Sequence, residues 1–136
     1  MKKSKKRKKS NTWKIKQHRD QFFKKSKTLG YRSRSAFKLI ELNKKYRFIK
    51  KNNKLLDIGA CPGGWSQVSS KIISSGKILS IDIKKMDELK NVSFLQCDFL
   101  QESTKEKILN FFGEELDVVL SDMAADTTGN KSLDCI

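Results

Sequence analysis

The chain has 136 residues, with 30 Lys and Arg against 15 Asp and Glu, for a net charge of +15. That length allows one domain with a modest core and is short for a complete doubly wound sheet. The charge is unevenly placed: 21 basic residues fall in positions 1–51 against two acids, whereas positions 52–136 carry nine against thirteen.

A basic arm on a mildly acidic domain points to a nucleic-acid partner; a solvated tail that only aids solubility is the alternative. Cys61, Cys97 and Cys135 show no CxxC spacing, so neither a zinc site nor a disulfide framework is indicated, and a reducing, cytoplasmic setting is expected. No apolar run approaches membrane length, and the N-terminus lacks the apolar stretch of a signal peptide.

Residues 1–12 are expected to be a disordered basic tail, since like charges repel and nothing apolar is there to bury. Residues 13–51 form a basic helical extension suited to RNA, with a short helix over Asp20 to Lys27. Phe22 and Phe23 anchor that helix on the core or stack on bases, and the lone His18 is given no chemistry. Gly30 breaks the helix, and Ser33 is the expected N-cap of a second one reaching Tyr46. Lys38 lies in an apolar run from Ala36 to Ile40, so it is either a surface lysine whose stem packs on the core or a group held beside a site.

After a linker over Phe48 to Asn53, residues 52–136 alternate strand and helix. Strands are expected at Lys54 to Ile58, Lys77 to Ile83, Val92 to Gln96 and Leu116 to Ser121, with helices at Trp65 to Ser74, ended by Gly76, and Thr104 to Phe112. The pattern is a βαβ series with a parallel sheet and right-handed crossovers. The fold class is therefore α/β, a partial Rossmann-like sheet with flanking helices behind a basic N-terminal extension.

The turn from Gly59 to Gly64 opens the first of these helices, where backbone N–H groups can meet a ligand. Its glycine spacing fits a dinucleotide fingerprint poorly, and the Gly-Lys-Ser/Thr of a Walker A loop is missing. Asp57 at the strand end and the absence of a lysine in the loop favour a cationic sulfonium ligand, S-adenosylmethionine, over a triphosphate; a tight turn with no ligand is the alternative. Asp57, Asp82, Asp98 and Asp122 each stand at or near a strand end, more than helix capping alone needs, and Asp82 is spaced to accept ribose hydroxyls.

The segments 32–39 (RSRSAFKL), 56–67 (LDIGACPGGWSQ), 94–99 (FLQCDF) and 117–124 (DVVLSDMA) resemble, in order and spacing, the FtsJ/RrmJ-type (RlmE-like) ribosomal RNA 2′-O-ribose methyltransferases. The resemblance implies S-adenosylmethionine held by Gly63, Trp65, Asp82, Asp98 and Asp122. It also implies a Lys-Asp-Lys-Glu catalytic set whose first lysine is Lys38 and whose aspartate is Asp122, which reverses the surface reading of Lys38. The implied substrate is a uridine ribose in large-subunit ribosomal RNA within the assembled subunit, without a metal; a monomer is expected.

The pattern's second lysine and glutamate belong to strands beyond Ile136, and Ala124-Ala125-Asp126 replaces its proline-containing loop. The expectation is thus a fragment with an apolar edge strand that binds the cofactor weakly and turns over poorly or not at all. Two alternatives stand beside it: a basic RNA-binding protein without catalysis, and a 2′-O-methyltransferase of transfer RNA or the mRNA cap.

Overall fold

In β1 (Lys54–Ile58) every residue from Leu55 to Ile58 is buried, as a strand must be when helices cover both its faces. The structure, a computed structural model, describes residues 11–113 and 115–123. β1 pairs in parallel with β2 (Lys77–Asp82) on one side and β4 (Val118–Ser121) on the other, and β3 (Ser93–Gln96) pairs in parallel with β2. The order is therefore β3-β2-β1-β4. Helix α1 spans Asn11–Thr28, α2 Ser35–Tyr46, α3 Gly64–Ile72 and α4 Glu102–Phe112.

Side chains alternate across a strand, and that alternation sorts the core into two layers. Leu55, Ile78 and Leu120 join Ala36 and Leu39 of α2 and Trp65 and Val68 of α3 on one face. Leu56, Ile58, Leu79 and Ile81 join Ile108 and Phe112 of α4 on the other. Each fully buried aliphatic side chain contributes about 1.5–3 kcal/mol. α2 is thus part of the core, with its basic residues turned outward.

Several boundaries differ from those read in the sequence. α1 covers 18 residues rather than Asp20 to Lys27; no Gly or Pro interrupts positions 11–28, and its many Lys, Arg and Gln side chains are good helix formers. Ser33 does not cap α2 with its side chain: its Oγ hydrogen-bonds the Ser35 hydroxyl at 2.6 Å, and a tight turn feeds the helix instead, Ala36 N–H donating to Ser33 O at 3.3 Å. α3 stops at Ile72, before Gly76, because the Ser74 and Ser75 amides turn to the Lys51 carbonyl at 3.0 and 2.9 Å. Gly76 serves a close approach, for a Cβ there would overlap the Asn53 carbonyl oxygen. The expectations for residues 1–10, for the side chains of His18, Phe22 and Phe23, for Cys135 and for the 124–126 loop lie outside the described residues.

Candidate active site

Parallel strands bring all four acids to one edge of the sheet, its carboxyl end, but give each a different environment. Asp82 closes β2 half-buried, with both carboxylate oxygens oriented by main-chain amides: Cys61 N–H donates to Oδ2 and Lys84 N–H to Oδ1, each at 2.9 Å. Asp98 follows β3 and accepts the Leu100 amide at 2.9 Å. Both line a cavity of about 240 Å³ at the strand ends. Its other walls are Ile58, Gly59, Ile81, Ile83, Cys97, Phe99, Leu100 and Met123, so the two carboxylates stand out against apolar surroundings. Phe99 and Leu100 are exposed despite their size, which suits the wall of a ligand cleft.

Asp122, just past β4, does not line that cavity. Its Oδ1 accepts from Lys38 Nζ at 3.1 Å, and the Lys38 ammonium stands 5.8 Å from the Trp65 ring centre. Lys38 lies on the outer face of α2, 63% exposed at its side chain, and Asp122 is 36% exposed. Residues 84 positions apart thus meet at the open end of the sheet.

Asp57 is the acid whose strand-end position misleads. It is 2% exposed, and Ser66 Oγ of α3 donates to its Oδ2 at 2.7 Å while hydrogen-bonding Ser80 Oγ at 2.6 Å. Burial pushes the Asp57 carboxyl up to about 6; the Ser66 hydrogen bond lowers it, and the charges of Asp122 and Asp82 raise it further. Its carboxylate is spent on α3 and is not offered to a ligand.

The loop glycines also make room for the protein's own side chains. Gly59 does border the cavity, and a Cβ there would strike the Met123 side chain. Gly63 is buried, with φ +115°, and its Cβ would lie 3.0 Å from Arg32 Nη1 and 3.1 Å from Met86 Sδ; a Cβ on Gly64 would strike Ser33 Oγ. Those two glycines admit the α1–α2 linker. Trp65 is 7% exposed, its ring in the core and its Nε1–H donating to Ser35 O at 2.6 Å, so it can offer a ligand little beyond main-chain groups.

Sequence reasoning missed Arg32 and Gln67. Gln67 accepts the Arg32 amide at 2.7 Å and donates to Gly30 O at 3.1 Å, and the Arg32 guanidinium donates to Pro62 O, Asp87 O and Glu88 O at 3.2, 2.7 and 2.8 Å. Among so many basic residues, one arginine with a structural task carries no separate signal.

An all-parallel sheet with helices on both faces, and a cleft lined by two acids at the carboxyl ends of β2 and β3, defines a Rossmann-like α/β domain. The FtsJ-like methyltransferase family model matches residues 31–136, and the chain belongs to that family. It is 44% identical over 127 residues to ribosomal RNA large subunit methyltransferase E of Pelagibacter ubique, covering 93% of this chain and 63% of that protein. The same-named protein of Acinetobacter baumannii is 44% identical over 129 residues, covering 93% and 60%. A crystal structure of a ribosomal RNA methyltransferase from Plasmodium falciparum superposes with a TM-score of 0.67 at 40% identity, over 76% of this chain and 62% of that one. The chain thus spans less than two thirds of the length of these relatives.

Proposed function

We propose that this chain carries the donor-binding half and two catalytic groups of an S-adenosylmethionine-dependent enzyme that methylates a uridine 2′-hydroxyl in large-subunit ribosomal RNA, in the cytoplasm and as a monomer. The observation that carries the reading is the Lys38–Asp122 pair beside a cleft holding Asp82 and Asp98. The names of the relatives support the RNA substrate, as do the exposed basic residues of α1 and α2. Among the described residues no helix is long and apolar enough to cross a membrane.

The residues suit the donor. Amides orient both Asp82 oxygens and leave outward lone pairs for ribose hydroxyls, Asp98 adds an acceptor for an exocyclic amine, and the apolar walls match a purine face. When bound, the donor supplies a methyl group activated by a positively charged sulfur. Lys38 has three N–H donors, of which Asp122 takes one, so its Nζ can hold the ribose oxygen and stabilise negative charge developing on it, while the hydroxyl proton passes to the second lysine of the set that the family resemblance implies. Asp122 fixes that ammonium against the Trp65 ring and limits its wandering. Proximity of the held oxygen to the donor is then a large part of the acceleration.

Calorimetric titration with S-adenosylhomocysteine tests the donor site: saturable binding is expected in the wild-type chain and its loss in Asp82→Ala. Transfer of a tritiated methyl group to undermethylated large subunits, lost in Lys38→Ala, tests the reaction. Binding that ignores the Asp82 substitution would overturn the assignment.

A further inference from the structure

We infer that Arg32, although it lies in the basic segment, is a positioning residue for the donor site and not an RNA contact. The inference rests on the reading of the cleft given above. Arg32 leaves the α1–α2 linker and delivers three N–H···O bonds to main-chain oxygens, one on the loop before α3 (Pro62) and two on the segment after β2 (Asp87 and Glu88). Its own amide is held by Gln67 of α3.

These two stretches also carry the amides that orient Asp82. Cys61 N–H, one residue before Pro62, takes one carboxylate oxygen, and Lys84 N–H, three residues before Asp87, takes the other. The guanidinium therefore ties together the two flanks that set the Asp82 carboxylate. A planar fork can reach three carbonyls at once; an ammonium is a single point with a different geometry. A second observation agrees: the missing Cβ of Gly63 makes room for Arg32, since that atom would lie 3.0 Å from Nη1 and 3.3 Å from Cδ.

The test uses the full chain with Arg32→Lys, which keeps the charge, Arg32→Met, which removes it, and Arg34→Met, which removes a neighbouring exposed charge. S-adenosylhomocysteine Kd, poly(U) affinity against salt, and hydrogen exchange at the Cys61 and Lys84 amides are measured well below the unfolding temperature. Both Arg32 variants are expected to raise the S-adenosylhomocysteine Kd at least tenfold and to speed exchange at both amides. Poly(U) affinity of Arg32→Met is expected to stay within twofold of wild type, whereas Arg34→Met weakens it and flattens its salt slope. Wild-type-like cofactor affinity in Arg32→Lys, or unchanged exchange at the two amides, overturns the inference, as does a loss in poly(U) affinity matching that of Arg34→Met. If the wild-type chain itself fails to bind S-adenosylhomocysteine, the donor reading fails, and exchange at the two amides still decides whether Arg32 holds them.

Discussion

The buried Asp57 carboxyl should make the folded chain lose stability as pH rises, against the usual behaviour of acids. Its folded pKa is about 6 against an ordinary 3.8, so the folded state binds the proton more tightly than the unfolded one. The stabilisation is fully present below pH 3.8 and is lost as pH passes through 6. Two units correspond to about 3 kcal/mol, of which about 2 kcal/mol falls between pH 4 and pH 7. Asp57→Asn keeps the size and an acceptor for Ser66 but cannot titrate. Urea unfolding of both proteins, followed by circular dichroism at half-unit steps, isolates the effect, since other titrating groups cancel in the difference. Wild type should lose about 2 kcal/mol relative to Asp57→Asn across that range. A difference that is flat with pH, or that grows in the opposite sense, refutes the assignment of Asp57 as a desolvated carboxyl.

Lys38→Ala and Asp122→Ala should each change unfolding free energy by less than about 1 kcal/mol, because the pair is solvent-exposed, while alanine at the position matching Lys38 in a full-length relative lowers methyl transfer about 100-fold or more; denaturant unfolding beside the tritium assay separates the two, and retained transfer would reduce the pair to a surface contact. Trp65→Phe removes the donor to the Ser35 carbonyl and should cost about 1–3 kcal/mol in the same unfolding experiment. Gly76→Ala should cost about 2 kcal/mol or more, since its Cβ meets the Asn53 carbonyl. A Cβ on Gly113 would meet nothing within 4 Å among the described residues, so Gly113→Ala should cost only the left-handed penalty of about 1 kcal/mol. Equal losses at the two glycines would contradict the packing described.

What could be read in the sequence followed from how strongly a pattern is constrained. The bounds of β1 were read without error because Leu55, Leu56 and Ile58 form a short apolar cluster that ends at once in the Gly59 turn. The parallel sheet followed from the βαβ alternation. α1 was read too short because its aromatic residues suggested a brief anchored turn, whereas uninterrupted helix-forming residues carry it further. The strand-end acids could be gathered at one edge but not told apart: Asp57 and Asp82 look alike in sequence, and only the opposing Ser66 and the Cys61 amide show which is buried and which is presented. The protein contacts of Gly63 and Gly64 were not legible for a related reason, since a glycine reports that something approaches closely without saying what. Lys38 and Asp122 were brought together by resemblance alone; nothing in their spacing signals an ion pair across the whole fold.

The strand order β3-β2-β1-β4 has a further consequence. The chain leaves β1 first toward β2 and β3 and returns to add β4 on the opposite flank, so Asp82 and Asp98 come from one wing and Asp122 from the other, with Met123 reaching from the β4 side into the cavity wall. The loop following β3 can change composition without displacing the lysine–aspartate pair, whereas the segment following β2 is tied by Arg32 to the linker that leads into α2. An architecture of this kind lets a lineage retune how it grips one reactant while keeping its hold on the other.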